Sequence, residues 1–253
     1  MNKPKALALA LAMTTSLFTL GSQAASAQPS VVIVHGAFAD GSDWARVVPL
    51  LQAEGIKVTV VQNPLTSLAD DVAATQRALN NQDGDVVLVG HSWGGTVISQ
   101  AGTDKKVRSL VYVAAFAPDA GQNTKELYNG YPSPPGVSQI AADKNGYLYL
   151  TPQGIATDFA QDLSREQAAV MAAIQGPIRA AAFEEKTSAA AWQGKPSWYV
   201  VSNQDRMIQP DLQRAFAKKI GASVTQLDAS HVPQQSRPAE VAKVIIQAVQ
   251  GSE

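Results

Sequence analysis

Residues 85–95 read Asp-Val-Val-Leu-Val-Gly-His-Ser-Trp-Gly-Gly, an apolar run that ends in a glycine-rich turn around Ser92. The apolar run predicts a buried strand, and the residues from Trp93 onward predict a helix. A serine in a tight turn between a strand and a helix fits the G-x-S-x-G pattern of a nucleophile elbow. Side chains two positions before and after that serine would clash with the neighbouring strand and helix. Gly90, Gly94 and Gly95 avoid this clash, so the stretch predicts an α/β sheet that carries a reactive serine.

The rest of the chain alternates short strands rich in Val and Ile with amphipathic helices. The predicted strands are 30–34, 57–62, 85–90, 107–116, 198–202 and 223–227. Helices are predicted over 43–53, 67–80, 93–101, 210–220 and 238–250. Consecutive βα units of this kind form a doubly wound, mostly parallel sheet. The sequence therefore predicts an α/β fold with six strands, whose ligand crevice lies outside the carboxyl ends of the strands.

The alternation stops over residues 118–196, and we interpret this stretch as an insertion in a single domain that covers 28–253. Asn145-Gly146 separates two short strand-like runs and predicts a β-hairpin. Two or three Ala-rich helices are predicted after the hairpin. One begins at Ser164 and has Gln167 three residues later, the spacing of a capping box. Because a structureless connection this long is rare in a compact domain, we expect the insertion to form a lid over the crevice.

The composition is that of an ordinary globular protein and excludes several other classes. Of the 253 residues, 45% are apolar and 16% are charged, which excludes disordered and collagen-like chains. The net charge is −1, so the chain lacks the basic surplus expected of a protein that binds nucleic acid. It has no cysteine, which excludes thiol catalysis, thiolate metal sites and disulfides. No metal or other cofactor is indicated, and the oligomeric state stays open.

The first 27 residues predict a signal peptide. Lys3 and Lys5 precede an uncharged, largely apolar stretch over 6–20, and Ala25-Ser26-Ala27 has the small-x-small pattern that signal peptidase cleaves. The apolar stretch is shorter than the roughly 20 residues needed to span a bilayer. We therefore expect a periplasmic or secreted protein that has no membrane association after cleavage.

A serine hydroxyl is a weak nucleophile at neutral pH and needs a base, for which histidine is suited. The chain has three histidines. His91 lies inside the predicted elbow, and His35 precedes a glycine at the end of the first strand. By elimination, His231 is the predicted base, because it follows the last strand and can fold back over the carboxyl edge of the sheet.

The carboxylate that orients the base should lie between Ser92 and His231 in the chain order that accompanies the elbow. Asp205 is the preferred candidate, because it follows the strand 198–202 at the predicted carboxyl edge of the sheet. Other positions in this interval also end strands or begin helices. These competing carboxylates are Asp119, Asp211 and Asp228.

A tetrahedral intermediate needs two N–H donors directed at its oxygen. The backbone amide of Trp93, at the start of the predicted helix, is one candidate donor. We expect the second donor from the loop after the first strand, where a glycine lets the chain turn against the elbow. The amide of Ala37 is preferred there, and that of Phe38 is the alternative.

Aromatic residues are concentrated in segments that should border the crevice or form the lid. The predicted substrate contacts are Phe38, Phe116, Tyr128, Tyr131, Phe159 and Trp192. Trp93 and Trp198 lie in segments that border the crevice as well. Because the lid is also poor in charge, the pocket is expected to take an apolar, uncharged acyl or alkyl group.

At this point the sequence resembles the α/β-hydrolase superfamily, specifically the small lidded branch that holds methylesterases, hydroxynitrile lyases and bacterial serine esterases. The resemblance covers nearly all of 30–250, and its motifs fall in family order. They are HGAFADGSDW (35–44), GHSWGG (90–95), AAFAPD (114–119), SNQD (202–205) and SHVPQQSRP (230–238). The lyases of this branch carry Thr and Lys at the positions held here by Gly36 and Val232. The resemblance therefore implies ester hydrolysis rather than cyanohydrin cleavage.

Together these features favour a serine hydrolase that cleaves carboxylic esters of small to medium apolar substrates through an acyl-enzyme. Its partner is then a small-molecule ester. Other reactions of the same triad, such as carbon–carbon bond hydrolysis or cofactor-free perhydrolysis, are alternatives within the enzyme class. A non-catalytic binding protein on a hydrolase scaffold is the alternative outside that class, and the complete set of Ser92, Asp205 and His231 argues against it.

Overall fold

A computed structural model describes Met1 and residues 28–251. The signal-peptide prediction rests on residues 2–27, which lie outside this described part. Within 28–251, none of the helices combines the length and the apolar character that a membrane span requires.

Strands and helices alternate along most of the described chain. The strands are β1 (Ser30–Val34), β2 (Val58–Val61), β3 (Val86–His91), β4 (Val107–Val113), β5 (Ile140–Ala142), β6 (Tyr147–Leu150), β7 (Ile178–Arg179), β8 (Ser197–Ser202) and β9 (Ser223–Leu227). The α-helices are α1 (Val48–Ala53), α2 (Leu68–Asn80), α3 (Trp93–Ala101), α4 (Pro152–Gly154), α5 (Arg165–Ile174), α6 (Pro210–Lys219), α7 (Pro233–Ser236) and α8 (Pro238–Gln250). Helix α4 continues into a π-helical turn over Ile155–Phe159.

The main sheet has six strands in the order β2-β1-β3-β4-β8-β9. Every neighbouring pair in it is parallel. The predicted fold class, a doubly wound α/β sheet, is therefore confirmed. Because all six strands run in one direction, their carboxyl ends meet at one edge, where ligands bind in folds of this type.

Helices cover both faces of this sheet. Successive strand side chains point to opposite faces, so β1 and β3 contribute to two separate apolar layers. Val32 and Leu88 pack in the layer that contains α2, α3 and α6. Ile33 and Val89 pack in the layer that contains α1 and α8. Burial on both faces explains why these strands are runs of Val, Ile and Leu rather than alternating patterns.

Two predicted elements end earlier or break where the chain must turn. The strand predicted over 107–116 ends at Val113, because Ala114 takes a left-handed conformation with φ 43°. The helix predicted over 43–53 is split into a 3₁₀ turn, Gly41–Trp44, and α1. Pro49 lies in the first turn of α1, the position where proline is tolerated because its missing N–H has no intrahelical partner.

The stretch 118–196 joins β4 to β8 and builds a second, smaller sheet. Strands β5 and β6 form the predicted hairpin, and β7 adds to β6 to give a three-stranded antiparallel sheet. The turn contains Gly146, whose φ of 80° suits glycine. Helix α5 begins with the predicted capping box, in which Ser164 and Gln167 exchange hydrogen bonds.

Of the two or three Ala-rich helices predicted after the hairpin, α5 is confirmed, and the Ala-rich chain after it does not form another α-helix within residues 175–196. The Ala-rich stretches there form only short 3₁₀ turns, Ala180–Glu184 and Ala191–Gln193. The chain just before the first of these turns is extended, because Ile178 pairs with Leu148 in the small sheet and is buried there. Tertiary pairing thus overrides the helical propensity of alanine.

Asp43 is a buried carboxyl group in the turn after β1. Burial, reinforced by the negative charge of Asp40, raises the pKa of Asp43 from 3.8 to about 7. The amides of Gln235 and Gln234 oppose this shift only in part. The folded protein therefore binds a proton at Asp43 more tightly than the unfolded chain does.

Replacing Asp43 by Asn should remove a pH dependence of stability. Because the pKa of Asp43 is raised on folding, its protonated form stabilises the fold at low pH, and this contribution is lost as pH rises from about 4 to about 7. Over this range the free energy of unfolding of the wild type should fall relative to that of Asp43→Asn. The difference between the two proteins should change by up to about 4 kcal/mol in favour of the variant. Urea unfolding at several pH values measures the difference. The difference in unfolding free energy between variant and wild type at the lowest pH gives the pH-independent cost of the substitution. If this difference stays the same at every pH, the prediction is contradicted.

Candidate active site

Ser92 lies in the sharp turn between β3 and α3, with φ 52° and ψ −120°. A non-glycine residue rarely adopts this conformation, and it costs of order 1–3 kcal/mol. The neighbouring glycines explain how the turn fits. A Cβ on Gly94 would lie 2.4 Å from the carbonyl oxygen of Val34, and one on Gly95 would lie 2.2 Å from that of Phe116. The small residues of the motif therefore allow three backbones to approach one another at Ser92.

Ser92, His231 and Asp205 form one continuous hydrogen-bonded chain. The Oγ of Ser92 lies 2.8 Å from Nε2 of His231, and Nδ1 of His231 lies 2.7 Å from Oδ2 of Asp205. All three residues are buried. They follow β3, β9 and β8 respectively, so the shared carboxyl edge of the sheet brings together residues that are far apart in sequence.

The Asp205 carboxylate has four hydrogen-bond donors around it. Oδ1 accepts the backbone N–H groups of Met207 at 2.7 Å and Ile208 at 2.9 Å. Oδ2 accepts Nε2–H of Gln213 at 2.7 Å in addition to the bond from His231. These donors hold the carboxylate in one orientation and leave Oδ2 directed at the imidazole.

Gln213 is a site residue that the sequence analysis missed. It is fully buried on α6, and its Oε1 also accepts the N–H of Ser202 at the end of β8. The signal was present in the sequence, since a glutamine lies on the same helical face as the apolar residues Leu212 and Phe216. A polar side chain on a buried face must find hydrogen-bond partners.

The competing carboxylates lie elsewhere. Asp119 pairs with Lys219 at 3.0 Å, and Asp211 pairs with Arg214 at 3.5 Å. Asp228 accepts a hydrogen bond from Asn203 at 3.2 Å. Among the competing candidates, none contacts His231 in the described part of the chain.

The other two histidines have different environments from His231. His91 is fully buried, which lowers its pKa well below the usual range and keeps it neutral. Its Nε2–H donates to the carbonyl oxygen of His231 at 2.8 Å, and the two rings lie 4.9 Å apart. Burial also lowers the pKa of His35, whose ring bonds the backbone of Gly36 and Asn63. His91 thus supports the loop of His231, and His35 joins the loop after β1 to the loop after β2.

Two backbone segments meet beside Ser92 at the predicted oxyanion positions. Trp93 is the first residue of α3, so its N–H has no partner within the helix. The loop after β1 approaches so closely that a Cβ on Gly36 would lie 2.8 Å from Cβ of Ser92. Ala37 and Phe38 follow directly and line the same cavity as Ser92, and Phe38 has a left-handed φ of 60°.

A cavity of about 460 Å³ opens above Ser92 and His231. Of the predicted contact residues, Phe38, Phe116, Tyr128 and Tyr131 line it. The other apolar lining residues, from the insertion and from the Asp205 loop, were not predicted from the sequence. These additional lining residues are Pro134, Val137, Ile140, Leu148, Phe183, Met207 and Ile208.

Phe159 and Trp192, the other two predicted contact residues, are not among the residues that line this cavity. Phe159 is fully buried, and its ring packs against that of His231 at 5.0 Å, outside the cavity wall. Trp192 donates its indole N–H to the carbonyl of Pro118 at 2.8 Å. Lys219 stacks over the Trp192 ring at 5.1 Å. Phe159 therefore packs the insertion against His231, and Trp192 ties the insertion to Pro118 and Lys219.

The two tryptophans expected to border the crevice also face elsewhere. Trp93 is fully buried, and its indole N–H donates to Asp71 at 2.7 Å. Burial raises the pKa of Asp71 to about 6, and the bond from Trp93 partly opposes that rise. Trp198 packs in the apolar layer on the other face of the sheet.

Metal ligands are not clustered at this site. Within residues 28–251, no three or more His, Cys, Asp or Glu side chains are arranged to hold a metal ion. The site consists of a hydrogen-bonded serine, histidine and aspartate at the floor of an apolar cavity.

Comparison with known proteins identifies the class. The sequence profile of the alpha/beta hydrolase family matches residues 31–244. The chain therefore belongs to this family, and the resemblance seen in its motifs is confirmed.

Individual relatives are distant but cover most of the chain. The chain is 25% identical to probable hydrolase R7 of a Phoma species, over 86% of this chain and 97% of the relative. It is 26% identical to polyneuridine aldehyde esterase of Rauvolfia serpentina, over 88% and 96% respectively. A solved structure of a pyrethroid hydrolase superposes with a TM-score of 0.75 at 22% identity, over 88% of this chain and 97% of that one. At that identity, the structural likeness shows a shared fold.

Gly94→Ala should destabilise the fold, because its new Cβ would overlap the Val34 carbonyl oxygen, which belongs to a central strand and cannot move freely. We expect the free energy of unfolding to fall by about 1–3 kcal/mol, the typical cost of overpacking. Circular dichroism should show a correspondingly lower Tm. Gly84→Ala is the matched control, since no atom lies within 4 Å of its added Cβ. Equal melting temperatures for the two variants would contradict this account of the elbow.

Proposed function

We propose that this protein is a serine carboxylesterase that acts through an acyl-enzyme. The observation that carries the proposal is the hydrogen-bonded chain from Ser92 through His231 to Asp205, with distances of 2.8 and 2.7 Å. A serine, a histidine and a carboxylate in this arrangement activate the hydroxyl for attack on a carbonyl carbon. The names of the relatives, an esterase and a probable hydrolase, support the same class of reaction.

In the first step, Oγ of Ser92 attacks the ester carbonyl while Nε2 of His231 takes its proton. This step requires the tautomer in which Nδ1 of His231 carries hydrogen, and the bond from Nδ1 to Asp205 selects that tautomer. The negative Asp205 carboxylate then stabilises the imidazolium that forms. We assign the backbone amides of Ala37 and Trp93 as the donors that bind the oxyanion, and losing one such donor typically costs about 2.7–4 kcal/mol.

In the second step, the imidazolium gives its proton to the leaving alkoxide and the acyl group stays on Ser92. A water molecule then attacks the acyl carbon while His231 takes its proton. The bond from that carbon to Oγ of Ser92 breaks, the imidazolium returns the proton to Oγ, and the acid is released. Each step uses the same three side chains, so atoms and protons balance without any cofactor.

The cavity favours an apolar, uncharged ester of small to medium size. Its walls are formed mainly by aromatic and aliphatic side chains from the lid insertion and the Asp205 loop. The charged lining residues are Lys125 and Glu184, which pair with each other at 3.1 Å and are largely exposed. Charge is thus kept at the rim, and apolar substrate surface is removed from water inside.

Cyanohydrin cleavage has less support than ester hydrolysis. A Cβ at Gly36 would lie 2.8 Å from that of Ser92, so the glycine leaves room at the nucleophile that a threonine would fill. Val232, directly after His231, is fully buried and apolar. Neither position offers the hydroxyl or the ammonium group found in the lyases that the sequence resembles.

A series of nitrophenyl esters of increasing acyl length tests the proposal. The kcat/KM should rise with each methylene, by up to about fourfold from about 0.8 kcal/mol of apolar burial, until the cavity is full. Ser92→Ala should abolish turnover of every ester while leaving the Tm intact. A fluorophosphonate should label the wild type at Ser92 and should not label Ser92→Ala. Residual activity above about a tenth of the wild type, or a wild type that neither turns over nor labels, would refute the proposal.

Asp205→Asn should lower kcat by up to roughly 10⁴-fold, by analogy with the protease triad, because an amide directs the wrong tautomer of His231 toward Ser92. Asp119→Asn is the matched control, since Asp119 also follows a strand of the main sheet but binds Lys219. It should leave kcat near the wild-type value. Steady-state kinetics with one ester distinguishes the two carboxylates, and the opposite ranking would overturn the assignment of the acid.

A further inference from the structure

Residues 158–162 of the lid insertion, Asp-Phe-Ala-Gln-Asp, contact both loops that carry the base and the acid. We call this stretch the clamp segment. It begins within the π-helical turn Ile155–Phe159, a type of local distortion that is frequent at functional sites. Its side chains lie at the carboxyl edge of the main sheet, so they can act on the geometry of the site without contacting a substrate.

On the acid side, the clamp segment holds the residues on both sides of Asp205. Oδ1 of Asp158 lies 2.6 Å from Nε of Arg206, the residue directly after Asp205. The Asp158 side chain is only 6% exposed, whereas that of Arg206 is 48% exposed. The amide of Gln161 donates to the carbonyl oxygen of Gln204 at 2.7 Å. The chain is therefore tethered one residue before and one residue after the acid.

On the base side, the clamp segment contacts the residue before His231 and the imidazole itself. Oδ2 of Asp162 accepts the backbone N–H of Ser230 at 2.9 Å. The ring of Phe159 packs edge-on against the His231 ring at 5.0 Å. The segment thus fixes the backbone that enters His231 and restricts rotation of the ring.

The two loops have few direct connections that could replace the clamp. Asn203 and Gln204 donate backbone hydrogen bonds to Leu227 and Ala229, at 2.8 and 3.1 Å. These bonds lie before the acid and before the base, where the strands β8 and β9 end. Beyond that point the side chains of Asn203 and Asp228 join the two loops at 3.2 Å, and the backbone N–H of Gly136 donates to the carbonyl oxygen of Arg206 at 2.9 Å. The clamp segment adds side-chain contacts on both sides of the acid and beside the base, where a misplacement of about 1 Å can cost 10²-fold in rate.

We propose that Asp158 is a positioning residue, which holds Asp205 in register with His231 through its ion pair with Arg206. The inference rests on the proposed function, because it assumes that the Ser92–His231–Asp205 chain performs the reaction. It gives the insertion a role besides forming the pocket wall. The alternative role for the pair is simply to close the lid, in which case its loss weakens ester binding and leaves activation of Ser92 unchanged.

Asp158→Asn tests this role with little risk to folding, because the amide keeps an acceptor for Arg206 and leaves a cation that is half exposed. The matched control is Asp85→Asn, which breaks an ion pair of the same 2.6 Å length with Nε of Arg108. Asp85 lies at the amino end of β3, opposite the site. If Asp158→Asn does not fold, Arg206→Gln removes the same ion pair from its more exposed side.

The measurements are kcat, KM, Tm and the rate at which a small fluorophosphonate labels Ser92. This reagent is too small to need the pocket walls, so its rate reports activation of the nucleophile. We expect Asp158→Asn to lower kcat and the labelling rate by about 10-fold or more, with KM nearly unchanged. Asp85→Asn should alter neither rate. In the Asp205→Asn background, Asp158→Asn should cause little further loss, because both act through the same group.

Each result decides the question. A wild-type labelling rate for Asp158→Asn, a change confined to KM and Tm, or full additivity with Asp205→Asn would overturn the positioning role. Those outcomes would leave the proposed function standing. A wild-type protein that does not label at Ser92 would overturn the proposed function, and the role of Asp158 with it.

Discussion

The close approach of backbones at Ser92 is the constraint on which the rest of the site depends. The N–H of Ser92 donates to Val113 at 3.2 Å, and its carbonyl oxygen accepts from Phe116 at 3.2 Å. Both partners lie at or just beyond the end of β4, so this strand holds the serine in its left-handed conformation. Gly95 lies so close to Phe116 that no side chain could replace its hydrogen. Contacts from neighbouring elements, rather than bonds within the turn, therefore hold Ser92 in its strained conformation.

Tyr199 supports the same region from the adjacent strand. Its hydroxyl donates to the carbonyl oxygen of Ala115 and accepts the N–H of Ala115 at 3.2 Å. Burial raises the pKa of Tyr199 well above the usual range, so the phenol keeps the proton that it donates. This contact lies beside the left-handed Ala114 and joins β8 to the turn after β4. Strain at Ala114 and at Ser92 is thus held by one hydrogen-bonded region of the central sheet.

His231 and Asp205 lie on loops, and buried polar side chains hold these loops in place. Gln213 orients Asp205 from α6, and His91 holds the backbone of His231 from the elbow. Each of these groups is buried and bonds a site residue, and Gln213 has partners for both atoms of its amide, as the cost of an unsatisfied buried polar group requires. The clamp segment adds lid contacts to the same two loops. The insertion therefore both lines the cavity and contacts the loops that carry His231 and Asp205.

The sequence by itself determined the strands, the nucleophile elbow and the candidate base, because these follow from local patterns: apolar runs, glycine spacing and the small number of histidines. Asp205 and Asp119 both follow a strand, so the sequence could rank them only by their positions along the chain. The tertiary structure alone shows that Asp205 lies 2.7 Å from His231. The cavity wall, Gln213 and the clamp segment could not be predicted either, because they depend on contacts between residues that are far apart in the sequence. Phe159 and Trp192 are as aromatic as Phe116, yet their contacts turn them away from the cavity. Which face a side chain presents, and which distant residue it meets, is decided by packing between elements, and local sequence does not encode that.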